Sequence, residues 1–153
     1  MNLREKRLVR ELDQLRKEAD QTGIAVLQAE DFEHWLLQIS GAPQTLYAGE
    51  SFVLQVTFPL EYPIKAPEVI FLHKPPINEH IYSNGHICLS ILYDNWSPTL
   101  TVSGIALSII SMLSSPTKKQ SPPDDSRYIS LSPTSPKQTS WNFHGNSPFC
   151  FIH

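Results

Sequence analysis

Three strand-like segments follow one another at short intervals, and this arrangement constrains the fold of the chain more than any other feature. Between Ser51 and Phe58, apolar and polar residues alternate with a period of two, as in a strand with one buried face. Residues 32–39 also resemble a strand, and an apolar run of strand length lies at residues 69–72. Because the connections are short, these segments predict an antiparallel meander, in which consecutive strands are neighbours.

Helical periodicity flanks the strands on both sides. Residues 2–18 place Leu8, Leu12 and Leu15 at helical spacing, which predicts an amphipathic helix with one apolar face. A second helix is predicted to begin after Thr101, whose hydroxyl suits an N-cap. Its apolar positions are Val102, Ile105, Ile109, Met112 and Leu113. Helices combined with an antiparallel meander indicate the α+β class.

The first helix carries an excess of basic charge. Six of the twelve Lys and Arg residues lie within the first seventeen positions, against three acidic residues, whereas the rest of the chain is acidic. A positive helix on an acidic body suits a protein partner with an acidic surface better than a nucleic acid, which requires a broader positive face. We therefore expect protein partners and no nucleic acid.

Length and cysteine content bound the class of protein. The 153 residues suit one domain, and the charged stretch before residue 12 predicts neither a secretory signal nor a membrane span. We expect a protein of the cytoplasm and, because it is small, of the nucleus. Cys88 and Cys150 are far apart in sequence, so no structural disulfide is expected in a reducing compartment.

The composition changes sharply near the C-terminus. The last forty residues hold nine Ser, three Thr and six Pro, a composition that disfavours a packed core. The sequence therefore predicts a core at residues 1–114. Residues 115–153, the tail, are expected to be partly ordered or mobile.

The segment between the third strand and the second helix has apolar anchors without regular periodicity. Long ordered loops of this kind usually carry function. Within it, Gly85 marks a turn shortly before Cys88, and Trp96-Ser97-Pro98 follows. Cys88 is therefore the candidate nucleophile.

The parts of the chain occur in a familiar order: the basic helix, the meander, Tyr62-Pro63-x-x-x-Pro67, Asn84–Leu92, Trp96-Ser97-Pro98 and the following apolar helix. Over residues 3–114 this order resembles the ubiquitin-conjugating enzymes. Within the family it is most similar to the W-type enzymes, which attach ubiquitin to the α-amino group of substrate proteins. The supporting features are Tyr82-Ser83-Asn84-Gly85-His86, Ser90 where many relatives have Asp, and His80 where most have Asn.

The resemblance implies a fold and a chemistry. The expected fold has an N-terminal helix, a four-stranded antiparallel meander, a long active-site loop, a central helix and a divergent tail. The Cys88 thiol would take the C-terminal carboxyl of ubiquitin from an activating enzyme, and then lose it to a substrate amine. The activating enzyme uses ATP, so no cofactor and no metal are expected on this chain.

Selectivity between amines follows from their protonation. Near neutral pH about 0.1% or less of lysine side chains are unprotonated, against about 10–20% of α-amines. Ser90 replaces an acid that would help to deprotonate lysine, which agrees with α-amine selectivity. Asp124 and Asp125 are further candidate gate residues.

The family's His-Pro-Asn motif is replaced by Asn78-Glu79-His80. The resemblance implies that His80 donates a hydrogen bond to the developing oxyanion or braces the loop, and we favour bracing. His86 adjoins the nucleophile and is interpreted as a bystander on the loop surface.

Partner surfaces are implied by position. Lys6, Arg7 and Arg10 match first-helix residues that meet the activating enzyme and ligases. Residues in two loops match those that dock RING or U-box ligases: Ile64, Ser97 and Pro98. The implied partners are ubiquitin, the activating enzyme, these ligases and substrates with accessible N-termini, with no membrane.

Other readings stay open. A weakly active or inactive conjugating-enzyme-like protein would bind ubiquitin or act as a scaffold. A cysteine hydrolase would pair Cys88 with His80 or His86, but no residue spacing supplies the third group of a triad. A zinc site at these three residues would need a fourth ligand. Cys88 as an ordinary buried core residue is the remaining alternative.

Overall fold

A computed structural model of the chain describes residues 1–141 and 143. Its elements, in order, are α1 (Leu3–Lys17), α2 (Ala19–Thr22), β1 (Ala25–Gln28), β2 (His34–Ser40), β3 (Ser51–Thr57), β4 (Glu68–Leu72), a 3₁₀ turn (Ser90–Leu92), α3 (Val102–Ser114), α4 (Asp125–Leu131) and a second 3₁₀ turn (Pro136–Gln138). This α+β composition confirms the predicted class.

The four strands form one antiparallel sheet in the order β1-β2-β3-β4. The predicted meander is therefore confirmed. Strand β2 begins at His34, two residues later than predicted, because the Asp31 carboxylate accepts hydrogen bonds from the backbone N–H groups of Glu33 and His34. The sequence pattern did not predict strand β1, because its four residues do not alternate between buried and exposed positions.

The core lies between the buried face of the sheet and helices α1 and α3. From β2 to β4 every second residue is buried, and α3 is buried on most of its circumference. Thr101 caps α3 as predicted, since its hydroxyl accepts a hydrogen bond from Gly104 N at 3.0 Å. The leucine stripe of α1 also packs inward: Leu8 and Leu15 are buried, and Leu12 is partly buried against the core.

A buried carboxylate joins α1 to α3. Glu11 accepts hydrogen bonds from the hydroxyl of Tyr62 at 2.5 Å and from the N–H of Val102, the first residue of α3, at 2.7 Å. Arg7 completes the cluster with an ion pair to Glu11 at 2.9 Å. A negative charge at a helix N-terminus interacts favourably with the unsatisfied N–H groups there. The cluster thus fixes the start of α3 and the Tyr62 loop relative to α1.

Tail residues 122–141 return to the core beside the loop that carries Cys88. Helix α4 and the second 3₁₀ turn lie in this part, and Pro122 and Pro136 are buried. The domain boundary at residue 114 stays a prediction. Within residues 1–141, no helix has the length and apolar character needed to cross a membrane.

Candidate active site

Cys88 lies in a loop that is fixed to strand β4. The N–H of Phe71 donates to the carbonyl of Gly85 at 2.9 Å, and Ile70 forms an isolated bridge with His86. Gly85 has a φ of +91°, and a Cβ atom there would lie 2.1 Å from the Phe71 carbonyl oxygen. Only glycine allows this close approach. The turn at Gly85, which the sequence predicted, therefore holds the Cys88 loop close to the backbone of strand β4.

The sulfur of Cys88 is enclosed in this structure. The residue has 0% of its surface exposed. It is also disulfide-bonded, so the expectation that no structural disulfide forms is wrong for this structure. Distance along a sequence does not limit which sulfur reaches a site in the folded chain, and the other cysteine, Cys150, lies outside the described residues. Only the reduced sulfur can form a thioester.

The backbone of His80 supports Cys88 directly. The N–H of Cys88 donates to the His80 carbonyl at 2.9 Å. The N–H of His80 in turn donates to the side-chain oxygen of Asn78 at 2.8 Å, and the Asn78 amide lies 3.5 Å from the Tyr47 hydroxyl. Asn78 is buried. The asparagine that replaces the family's first histidine therefore holds the loop from within, and the role of the His80 side chain stays a prediction.

Ser90 lies two residues beyond Cys88 and is buried. Its hydroxyl accepts a hydrogen bond from the Asn95 side chain at 3.1 Å, and its carbonyl accepts the N–H groups of Tyr93 and Asn95. The Tyr93 hydroxyl donates to the carbonyl of Ile87 at 2.8 Å. Burial raises the pKa of Tyr93, so this group stays a donor. These bonds close a tight turn immediately after the cysteine.

The tail brings both candidate gate carboxylates to the loop before Cys88. Asp124 accepts a hydrogen bond from the Tyr82 hydroxyl at 3.0 Å. Asp125 accepts two bonds of 2.8 Å from the N–H and the hydroxyl of Ser83. Both carboxylates are thus engaged with loop residues five and six positions before the cysteine. Their role as gate residues stays a prediction.

His86 is buried under the tail, so its interpretation as a surface residue is wrong. Its Nδ1 lies 2.7 Å from the Tyr128 hydroxyl, and its Nε2 lies 3.2 Å from the Thr134 carbonyl. These two contacts fit a neutral imidazole, in which Nδ1 accepts from the Tyr128 hydroxyl and Nε2 donates to the Thr134 carbonyl. Burial lowers the pKa of His86, and the Thr134 carbonyl and the Glu68 carboxylate oppose this effect in part. The tail, which the local pattern of this loop does not reveal, causes the burial.

This lowered pKa predicts a loss of stability in mild acid. Above about pH 6.5 the imidazole is neutral in both folded and unfolded chains, whereas below it the unfolded chain binds the proton more readily. Stability should therefore fall as the pH drops below this value. We expect His86→Asn to show a smaller decrease in urea midpoint between pH 7.5 and pH 5 than the wild type, and His34→Asn, an exposed control, to match the wild type. Equal pH dependence of the urea midpoint in His86→Asn and wild type would contradict the link between the lowered pKa of His86 and the loss of stability in acid.

The predicted ligase surface is assembled from two neighbouring loops. Ile64 is 72% exposed on the first, and Pro98 is exposed and Ser97 half-buried on the second. The indole N–H of Trp96 donates to the carbonyl of Pro63 at 2.9 Å and ties the loops together. An apolar tip beside a fixed proline suits a small, transient interface.

The three basic residues predicted on α1 differ in their surroundings. Lys6 and Arg10 are exposed. Arg7 is half-buried, and its guanidinium donates to the carbonyls of Pro98 and Leu100, each at 2.6 Å. Arg7 therefore fixes the loop that contains Ser97 and Pro98 to helix α1. Its direct contact with a partner stays a prediction, as do those of Lys6 and Arg10.

Sequence reasoning missed two groups that organise the site. Glu11 interrupts the leucine stripe of α1 three residues after Leu8, and an acidic residue on an apolar helix face is the signal that identifies it. Tyr128 stacks on Tyr82 with ring centroids 3.8 Å apart. No local pattern indicated this pair, because the two residues are far apart in sequence.

Comparison with known proteins completes the picture of the site. The family model described as ubiquitin-conjugating enzyme matches residues 7–140. The chain belongs to this family. A probable ubiquitin-conjugating enzyme E2 16 of Arabidopsis thaliana is 53% identical over 125 residues, which are 80% of this chain and 78% of the relative. A ubiquitin-conjugating enzyme E2 W of Caenorhabditis elegans is 47% identical over 146 residues, which are 93% and 95% of the two chains.

A solved structure agrees with these relatives. The crystal structure of the ubiquitin-conjugating enzyme UbcA1 from Agrocybe aegerita superposes with a TM-score of 0.85 at 39% identity, covering 90% of this chain and all of that one. The ubiquitin-conjugating enzyme is therefore of the predicted fold, and within its family it is most like the W-type. Transferase activity and partnership with ubiquitin, activating enzymes and ligases follow in general from the family.

Proposed function

We propose that this ubiquitin-conjugating enzyme carries ubiquitin as a thioester on Cys88 and transfers it to the α-amino group of substrate proteins. A RING or U-box ligase would assist, and the protein would work in the cytoplasm and nucleus without a cofactor of its own. The observation that carries the proposal is the position of Cys88, held by the His80 carbonyl on a loop that packs against β4. The residue types around it support the choice of amine.

The proposed reaction has two acyl transfers. In the first, the Cys88 thiolate attacks the thioester of an activating enzyme, one carbon–sulfur bond forms as another breaks, and the departing thiolate takes a proton from water. In the second, the substrate nitrogen attacks the new thioester, an amide bond forms, and Cys88 leaves as a thiolate. The ammonium proton of the intermediate passes to solvent. No oxidant or reductant is consumed in either transfer.

The surroundings of Cys88 favour an amine that is already unprotonated. Ser90, two residues on, offers a hydroxyl in place of a carboxylate, and Asp124 and Asp125 accept hydrogen bonds from Tyr82 and Ser83. No acidic side chain occurs in the segment 80–93. An α-amine supplies about a hundredfold more free base than lysine near neutral pH, so it needs less help from such a group.

A loading and discharge assay tests the proposal. Reduced protein is incubated with activating enzyme, ATP and ubiquitin, and a reductant-sensitive adduct is expected on a non-reducing gel. The loaded protein is then divided between free lysine and a peptide whose only amine is its α-amino group. Faster discharge by the peptide supports the proposal, whereas equal discharge by both amines contradicts the selectivity.

Replacing Ser90 with Asp is predicted to increase discharge to lysine. The Ser90 side chain is buried and bonded to Asn95, so a carboxylate at this position has to turn toward the thioester to accept the ammonium proton. We therefore expect a gain of about tenfold, below the usual range for a general base. Ser90→Asn is the matched control because it adds similar bulk without a base. Lysine discharge at the wild-type rate in Ser90→Asp would remove this explanation of selectivity.

A second function is favoured by the state of Cys88, which is disulfide-bonded and has no exposed surface in this structure. In that case the protein would bind ubiquitin or act as a scaffold with little catalysis of its own. The same assay separates the two, because a scaffold would form no adduct in its reduced state while still binding ubiquitin.

A further inference from the structure

One polar face of helix α1 contacts both loops of the predicted ligase surface. Arg4, Arg7 and Glu11 lie at i, i+3 and i+7 of the helix, a spacing that places them on one face. Each of these side chains bonds to residues outside α1. We call residues 58–66 the first ligase loop and residues 96–101 the second. The bonds between α1 and these loops determine how the surface is held.

Arg7 bonds to the second ligase loop with both terminal nitrogens of its guanidinium. These nitrogens donate to the carbonyls of Pro98 and Leu100 at 2.6 Å, and Nε donates to Glu11 at 2.9 Å. The side chain is 25% exposed. A guanidinium presents its donors in a planar fork, whereas a lysine offers one compact charge on a flexible stem. Arg7 is therefore engaged with its own chain in a geometry that lysine does not reproduce.

The first ligase loop is bonded to α1 at two points. At its start, the Arg4 guanidinium donates to the carbonyls of Phe58 at 3.2 Å and Pro59 at 3.0 Å. In its middle, the Tyr62 hydroxyl donates to Glu11 at 2.5 Å. Burial, together with the charge of Glu11, raises the pKa of Tyr62, so the hydroxyl stays a donor. The backbone on the N-terminal side of the exposed apolar tip is thus fixed to the helix.

The two ligase loops are also bonded to each other. The indole N–H of Trp96 donates to the Pro63 carbonyl at 2.9 Å, and the Trp96 ring lies 5.9 Å from the Tyr62 ring between centroids. The Glu11 carboxylate joins the same network, because its second oxygen accepts the N–H of Val102 directly after the second loop at 2.7 Å. One connected network therefore sets the position of each loop relative to the other.

We propose that Arg7, Glu11 and Tyr62 are positioning residues for ligase binding, which hold the two loops at the spacing that a RING or U-box domain recognises. Arg7 acts in this way through the carbonyls of its own chain. The proposal rests on the ligase assistance proposed above. A small interface depends on a few anchors, and anchors that are held in place before binding lose less conformational entropy. Loss of the network should therefore weaken ligase binding without changing the chemistry at Cys88.

A binding titration tests the role of Tyr62. The probe is the isolated RING or U-box domain that binds the unloaded wild type most tightly in a panel of such domains, and binding is followed by fluorescence anisotropy. Tyr62→Phe keeps the ring but removes the bond to Glu11, and we expect its Kd for the probe to rise about fivefold or more. Once loaded with ubiquitin, it should discharge at the wild-type rate without the probe and with saturating probe.

Tyr47→Phe is the matched control for this variant. Tyr47 is also buried, and its hydroxyl donates to the Ile77 carbonyl, outside both ligase loops. Its loss should cost stability in the same way but leave the Kd for the probe within about twofold of the wild type, since the network is intact. An equal rise in Kd for both variants would show a general effect of destabilisation and would overturn the positioning role of Tyr62.

Arg7→Lys separates positioning from a direct charge contact. Lysine keeps the positive charge but does not span the two carbonyls and Glu11, so we expect its Kd for the probe to rise about fivefold or more. Arg10→Lys is the control, because Arg10 is exposed on the same helix; its Kd should stay within about twofold of the wild type. Wild-type affinity in Arg7→Lys would overturn the positioning role of Arg7.

Amide hydrogen exchange followed by mass spectrometry tests the network without a ligase. In Tyr62→Phe and Arg7→Lys, peptides from residues 58–66 and 96–102 should exchange about tenfold faster or more, because local openings become more frequent. Peptides from β3 serve as the internal reference and should exchange at the wild-type rate. Unchanged exchange in both loops, or equal acceleration in β3, would overturn the network as the element that holds the loops.

The wild type separates this inference from the proposed function. A wild type that forms no ubiquitin adduct would overturn the thioester function, while the titration of the unloaded protein still decides the positioning role. A wild type that no domain of the panel binds would overturn ligase assistance and this inference with it. If the probe binds the wild type and both variants equally, the positioning role alone is overturned.

Discussion

Replacing Cys88 with alanine is expected to abolish the ubiquitin adduct completely and to leave the fold intact. The alanine lacks the sulfur that would form the thioester, and Cys88 is the cysteine that lies within the family motif. With both proteins kept reduced, the loss of one buried sulfur should lower the free energy of unfolding by about 1 kcal/mol. Loading is read on non-reducing gels under conditions that keep the parent reduced.

Cys88→Ser provides the matched control for this variant. A serine hydroxyl occupies nearly the same volume, and any adduct it forms is an oxygen ester, which thiol reductants do not cleave. We expect the wild-type adduct to disappear on reduction and a slowly formed serine adduct to survive it. A reductant-sensitive adduct on Cys88→Ala would show that another residue carries ubiquitin and would contradict the assignment of Cys88.

Replacing Glu11 with alanine is expected to lower the free energy of unfolding by about 3–5 kcal/mol. Removing the buried Glu11 carboxylate leaves the half-buried Arg7 guanidinium without its anionic partner. Here it also leaves the N–H of Val102 and the hydroxyl of Tyr62 without their acceptor. Buried polar groups without partners are costly. Urea unfolding followed by circular dichroism measures the change.

Asp13 offers the control for this prediction on the same helix. Its carboxylate pairs with Lys17 at 2.9 Å, but both side chains are largely exposed. Exposed pairs of this kind contribute little to stability. We expect Asp13→Ala to unfold close to the wild-type urea concentration. A similar midpoint for Glu11→Ala and Asp13→Ala would mean that the buried cluster contributes no more than a surface pair.

The elements that sequence predicted best are those whose burial is periodic. Strand β3 alternates along its whole length, and α3 combines apolar spacing with the Thr101 cap. Both were confirmed within a residue or two. Strand β1 has only four residues and no alternation, so it carried no local signal. Its place in the sheet was expected from the family resemblance alone.

Features that depend on distant contacts were harder to predict. His86 is buried because tail residues Tyr128 and Thr134 cover it, and nothing in the sequence around His86 indicates this. The buried position of Glu11 depends likewise on Tyr62 and on the start of α3. A side chain's neighbours along the chain determine its face on a helix or strand, but they do not determine what is packed against that face.

The segment that carries Cys88 could be singled out from sequence because its parts are close together. Gly85, His86 and Cys88 fall in one short segment, and the structure holds this segment on β4 through the glycine. The arrangement of Asn78 and His80 under Cys88 could be located but not described from sequence, since it depends on backbone hydrogen bonds.

The most direct test of the proposed selectivity is an internal competition on one substrate. The loaded enzyme is offered a disordered peptide that contains one α-amine and one lysine, at a pH near 7.5, and the modified nitrogen is located by tandem mass spectrometry. We predict that ubiquitin is attached at the α-amine in at least nine-tenths of the product, as the relative amounts of free base require (about a hundredfold). Equal modification of both amines, or a preference for lysine, would contradict the account.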